Sequence, residues 1–190
     1  MIISISGNPG SGKSTVAKLL IEKLSCERVY AGGIIRDMAK ERGLSLEAFM
    51  EHLATDQELE KEIDTRVGVK ARALEKEGKV VIAEGRVQFH LIPESVKIYI
   101  KVKSEEGARR IWNDLNDKKV QKERNQDMVG SVQELVKKNE VREETDAKRY
   151  MKLYSVDHRE EANYDFVVDT TEISAVKAAE KIVEYLKSLS

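Results

Sequence analysis

Cysteine, proline and any excess of charge are what this 190-residue chain has least of: one Cys (Cys26), two Pro, and 33 Lys plus Arg against 34 Asp plus Glu. A lone cysteine excludes an intrachain disulfide and suits a reducing compartment, and without Cys/His clusters at ligand spacing no structural zinc is expected. The net charge of −1 gives no basic field of the kind nucleic-acid binders carry, so no nucleic-acid partner is expected. No apolar run approaches the ~20 residues of a membrane span, and the first predicted strand begins at Ile2, so a cytoplasmic protein with neither leader nor membrane partner is expected. Internal repeats and low-complexity tracts are missing as well. The length suits one compact domain over 1–190, taken as a monomer.

What is present is alternation. Short apolar runs, IISIS (2–6), RVYA (28–31), VVIA (80–83), VKIYIKV (96–102) and DFVVD (165–169), are separated by charged stretches of helical character. Strands alternating with helices predict an α/β layer fold with five mostly parallel strands, because parallel neighbours need a crossover between them. Val16, Leu19, Leu20 and Leu24 recur at helical spacing directly after the first strand. Between the second and third strands the chain is far longer than one crossover helix requires, which predicts a helical insertion. In it Ser45 is positioned to cap the helix carrying Phe49, Met50 and Leu53, Gly43 and Gly78 read as helix stops, and Met38, Phe49, Met50 and Leu53 read as its core. A polar block at 113–131 holds too few apolar residues to pack well and is expected to be mobile. Residues 174–188 form the closing helix.

The most specific signal is Gly7-Asn8-Pro9-Gly10-Ser11-Gly12-Lys13-Ser14-Thr15. Its glycines, lysine and hydroxyl stand at the spacing of a phosphate-binding loop, with the required strand before and helix after. Glycines let main-chain amides converge on phosphate oxygens, the helix N-terminus adds partial positive charge, and Lys13 adds a full one. Ser14 is placed to ligate Mg²⁺. A nucleoside triphosphate site is therefore expected. The guanine-reading Asn-Lys-x-Asp element occurs nowhere, and the chain is too short for a motor or helicase ATPase, which leaves small phosphotransferases.

Such an enzyme must also hold an anionic acceptor and neutralise a migrating phosphoryl group, so arginines are the residues to find. Arg36 follows the second strand and Arg86 ends the third, where open parallel sheets place their ligands. Together they could clamp one phosphate. Glu84, at the same strand end, is a candidate to orient Mg²⁺ and its waters beside Ser14. Arg66 could face the acceptor from the insertion, although a solvated helix face serves equally. Arg142, Asp146 and Arg149 fall on one helix face, either as an ion-pair ladder or as a lid closing over the transferred group.

The combination of GNPGSGKST, Arg36 within AGGIIRDMAKERGLSLEAF, VVIAEGR, SVQELVKKNEVREETDAKRY and YDFVVDTTEIS resembles the nucleoside monophosphate kinases, and among them the archaeal-type cytidylate kinases. The resemblance implies a three-layer P-loop NTPase fold, with a five-stranded parallel sheet, an acceptor-binding insertion at 33–76 and a lid at about 142–158. It also implies phosphoryl transfer from ATP to CMP or dCMP with Mg²⁺. By position, Lys13 and the loop would hold ATP, Arg36 and Arg86 the acceptor phosphate, and Arg142 and Arg149 would act from the lid. Adenylate kinase or another small-molecule kinase on the same scaffold is the nearest alternative. A nucleotide-dependent switch or binding module without an acceptor site is the alternative of another class.

Overall fold

The computed structural model describes residues 1–53, 55–116 and 130–189. Five parallel strands, β1 (Ile2–Gly7), β2 (Glu27–Tyr30), β3 (Val81–Glu84), β4 (Val96–Lys101) and β5 (Phe166–Asp169), lie in the order β2-β3-β1-β4-β5. Each predicted strand is present to within one residue at either end. The second stops at Tyr30, whose pairing with Glu84 is the last rung beside β3. Ala31, expected in that strand, begins a helix instead.

Eight helices surround the sheet among the described residues: α1 (Lys13–Leu24), α2 (Ala31–Glu41), α3 (Leu46–Leu53), α4 (Gln57–Lys76), α5 (Gln88–Leu91), α6 (Ser104–Asn116), α7 (Val132–Tyr154) and α8 (Ala175–Ser188). Side chains alternate between the two faces of a strand, and both faces of a parallel sheet are covered. Ile3, Ile5, Ile82, Ile98 and Ile100 pack on α1 and α8 through Val16, Leu20 and Ile182. Ile2, Val29, Val81 and Ala83 pack on the other layer, α2 to α4, through Ile34, Met38, Phe49 and Ile63. Each fully buried Ile or Leu contributes about 2 kcal/mol of transfer free energy, so the three layers cohere without a disulfide.

The insertion folds as three helices whose starts are set by local chemistry. Ser45 Oγ accepts from Ala48 N at 3.1 Å, as expected, and Asp56 Oδ1 accepts from both Glu58 N and Leu59 N at 3.0 Å. Gly43 and Gly78 follow the ends of α2 and α4. Met38 and Phe49 are fully buried. Leu53 packs against that core as expected and also lines a cavity, whereas Met50, read as core, is 39% exposed on the cavity wall. Of the polar block, residues 113–116 are the last turn of α6 and 117–129 lie outside the described residues. The long helix after it is α7, capped by Ser131, whose Oγ accepts from Glu134 N at 3.1 Å.

The phosphate loop is pressed against the far half of the sheet. Asn8 bonds both ways to the residue after β4: Nδ2 donates to Val102 O at 2.7 Å, and Val102 N donates to Oδ1 at 3.0 Å. At Gly10, a Cβ would fall 2.3 Å from the carbonyl oxygen of Gly107 on α6. The contact is mutual, since a Cβ on Gly107 would lie 2.6 Å from Pro9 O and 2.9 Å from Val102 Cγ1. Backbone therefore meets backbone, and α6 fixes the height of the loop. Gly107→Ala is expected to cost about 2 kcal/mol through overpacking and to weaken triphosphate binding. Urea unfolding checks the first effect, and an unchanged midpoint would refute the contact's importance.

Candidate active site

All five strands end at one edge of the sheet, and the chain reaches that edge from every layer. Lys13, the first residue of α1, folds its side chain over the loop and donates from Nζ to Gly7 O at 2.6 Å and Asn8 O at 2.9 Å. Burial, followed by the fields of Arg86 and Arg142, pushes its ammonium down to about 7. Those two arginines therefore share a site with the loop lysine. Ser14 Oγ donates to Glu84 Oε1 at 2.9 Å, bringing together the two residues read as magnesium-associated. Glu84 is held in turn by Arg28, whose Nε donates to Oε2 at 2.9 Å; the sequence reading did not pick out Arg28. Ser11 is buried and its hydroxyl has no hydrogen-bond partner among the described residues.

Arg86, Arg142 and Arg149 converge on one carboxylate. Asp146 Oδ2 lies 2.5 Å from Arg86 Nη1 and 3.9 Å from Arg142 Nε, and Oδ1 accepts from Arg149 Nη2 at 2.8 Å. Arg149 also reaches across to α4, its Nε 2.9 Å from Glu60 Oε1. The helix face read at i, i+4 and i+7 is thus a single electrostatic cluster joined to the end of β3. Behind Arg86, His158 is fully buried, with Nε2 3.4 Å from Arg86 Nη1. Burial and then Arg86 push its pKa down to about 4, so the ring is neutral and Nε2 accepts. Nothing in the sequence signalled His158, because burial is a tertiary property.

Two cavities flank this centre. One, of about 590 Å³, lies between the insertion and α7, lined by Ile35, Met50, Ile63, Asp64, Arg142 and Arg149 among others. The other, of about 290 Å³, opens beside Gly10, Ser11, Gly12 and Thr15 and is walled by Arg110, Thr170 and Ser174. Arg110 is oriented by Glu106, from Nε at 2.8 Å, and donates to Thr170 O at 2.6 Å. These residues were missed, yet Thr170 directly follows β5, and the rule that ligands gather at strand ends could have found it.

Two expected acceptor residues are engaged by other partners. Arg36 donates to the Tyr30 hydroxyl, and its guanidinium lies 5.5 Å from that ring's centroid. Of the two alternatives left open for Arg66, the structure shows a solvated helix face, and Arg66 is not among the residues lining the large cavity. Glu62 four residues earlier accepts from Arg66 Nε at 3.1 Å, and Glu41 accepts from Nη1 at 2.6 Å, tying Arg66 into a solvent-exposed ion-pair network.

A phosphate loop with its lysine, a hydroxyl–carboxylate pair beside it, and three arginines gathered at the same sheet edge define a phosphate-loop phosphotransferase of the nucleoside monophosphate kinase class. The family model described as an AAA domain matches residues 3–129. A cytidylate kinase of Methanocaldococcus jannaschii is 34% identical over 176 residues, covering 90% of this chain and 89% of that protein. One from Pyrobaculum neutrophilum is 32% identical over 187 residues, covering 98% and 92%. The chain belongs to the archaeal-type cytidylate kinase family. The fold is shared more widely: a shikimate kinase from Acinetobacter baumannii superposes with a TM-score of 0.54 at 19% identity, over 100% of this chain and 94% of that one.

Because burial and the neighbouring arginines lower the Lys13 pKa to about 7, a bound polyphosphate should restore its charge. Triphosphate binding at pH 8 is expected to take up about one proton. Calorimetry in buffers of different ionisation enthalpy measures this, and Lys13→Met should abolish it. The same uptake in that variant would exclude Lys13 as the source.

Proposed function

We propose that the chain transfers the γ-phosphoryl group of ATP to CMP or dCMP, giving ADP and the diphosphate. The observation that carries this reading is the meeting of Arg86, Arg142 and Arg149 around Asp146, in the field of Lys13 and between two cavities. It is supported by membership of a family whose named members are cytidylate kinases. ATP would lie with its phosphates on the loop from Gly7 to Thr15 and its nucleoside in the smaller cavity. The monophosphate would occupy the larger one.

Ser14 and Glu84 are hard oxygen donors 2.9 Å apart, and they fit a magnesium ion that takes its remaining ligands from phosphate and water. Ser14 would hold the ion and Glu84 would orient its waters. When bound, it supplies neutralisation of charge between the β- and γ-phosphates. The acceptor phosphate is already ionised, so attack needs no protein base, and the chain's task is to position and to neutralise. Arg86 would hold the acceptor phosphate. Lys13, Arg142 and Arg149 would stabilise charge on the transferred group once phosphate oxygens replace Asp146 as their partner. Arg36, at the mouth of the insertion, would reach the acceptor phosphate after leaving Tyr30. The insertion at 33–76 and the segment 142–158 would close together over the substrates, excluding water and so preventing ATP hydrolysis.

A coupled assay with a panel of monophosphates tests the reading. CMP-dependent ADP formation is expected, with Arg86→Ala lowering kcat/KM for CMP by roughly 100-fold or more while the KM for ATP changes little. ATP turnover that no monophosphate stimulates would refute it.

A further inference from the structure

Arg86 has a second partner that the phosphoryl-transfer chemistry does not use. Its Nη1 lies 2.5 Å from Asp146 Oδ2 and 3.4 Å from His158 Nε2. A guanidinium Nη carries two hydrogens, so one serves the carboxylate on α7 and the other the imidazole. The Nε–Nη2 edge is the fork that remains to hold two oxygens of one phosphate. His158 itself is fully buried and fixed from several sides. The Tyr164 hydroxyl donates to its carbonyl oxygen at 2.7 Å, and the Tyr164 ring lies 4.8 Å from both the Phe89 and the Tyr99 ring. The imidazole stands edge-on to Tyr150 of α7, with centroids 5.3 Å apart.

Charge on either side of the ring selects its tautomer. The Arg86 guanidinium beside Nε2 disfavours a proton there, and Asp157 Oδ1, 4.0 Å from Nδ1, favours one on that nitrogen. Arg159 keeps Asp157 ionised by donating to both its oxygens, from Nε to Oδ1 at 2.9 Å and from Nη2 to Oδ2 at 2.7 Å. Burial, then Arg86, and more weakly Arg159 lower the His158 pKa to about 4 against the opposing fields of Asp146 and Asp157, so the ring is neutral. Nδ1 has no hydrogen-bond partner among the described residues. Leaving that group unpaired costs stability, and a buried histidine retained at such a cost points to the work of its other nitrogen.

We propose that His158 is a positioning residue for the acceptor phosphate: by accepting from Arg86 Nη1 it fixes the plane of the guanidinium and presents the Nε–Nη2 edge to the substrate. This rests on Arg86 holding the acceptor phosphate. A second carboxylate in the same place would hold the guanidinium equally well, but it would cancel part of its charge and compete with the incoming anion. A neutral ring orients the cation and leaves its charge available. Asp146 and His158 thus act differently on one nitrogen, the first as counter-charge and the second as a fixed, uncharged stop.

A double-mutant cycle tests this, with kcat and KM for CMP and for ATP measured in the intact protein and in His158→Leu, His158→Gln, Arg86→Ala and the His158→Leu/Arg86→Ala pair. His158→Leu removes the acceptor and keeps the bulk, and it should lower kcat/KM for CMP about tenfold with the KM for ATP unchanged. His158→Gln places an amide oxygen near the position of Nε2 and should recover most of that loss. In the Arg86→Ala background the leucine substitution should cost at most about twofold more. A structural role alone would give additive losses, equal for Leu and Gln, and would overturn the assignment while leaving the kinase reading standing. Nitrogen NMR of isotopically labelled wild-type protein near neutral pH keeps the test available if the variants do not fold. A neutral His158 ring protonated at Nδ1 is expected, and a proton on Nε2 would overturn the assignment. Wild-type protein that turns over no monophosphate would overturn the kinase reading and this assignment with it.

Discussion

Everything at the active edge depends on how close the phosphate loop sits to β4 and α6. Glycine meets glycine at Gly10 and Gly107, and Asn8 spends both ends of its amide on Val102. A nucleotide loop has to present main-chain amides to an anion, so its own side chains are free only to fasten it. Here the fastening runs to the half of the sheet that follows in sequence. The first fifteen residues are therefore shaped by residues near 100, and the loop's geometry is inseparable from closure of the β1–β4 pair.

Charge is the second constraint. Three arginines and a lysine concentrated at one sheet edge would repel one another strongly in a half-buried site, where Coulomb energies exceed their values in water several-fold. Asp146 is the counterweight, accepting from guanidinium groups on two elements. It holds the cluster together at the sheet edge. Lys13 lies in the same field, and burial followed by Arg86 lowers its pKa to about 7. Preorganisation of this kind contributes to catalysis because the dipoles and charges need not be reorganised as the reaction proceeds.

Much of the scaffold was legible in the sequence, for identifiable reasons. The strands are short apolar runs buried on both sides, so their boundaries follow composition. Ser45 caps its helix because the hydroxyl and the amide it satisfies are three residues apart. Arg142, Asp146 and Arg149 were placed on one face because helical periodicity is local. What the sequence left open or misread depends on how elements pack. Arg66 had two readings until its contacts with Glu62 and Glu41 were seen, and Met50 was read as core although it lies exposed on a cavity wall. His158, Arg28 and Arg110 had no sequence signal, since each works through a contact spanning from 56 to 72 residues.

The sequence by itself determined the layer architecture, the phosphate loop and the class of chemistry, because spacing within a few residues encodes turns, caps and helix faces. Only the tertiary structure decided which arginines meet, that Asp146 is their common partner, that Glu84 faces Ser14, and that Asp64 stands buried against Tyr154 in the wall of the larger cavity. These are matters of which side chains the sheet's parallel closure brings within about 3 Å, and a hydrogen bond or ion pair depends on that distance rather than on separation along the chain.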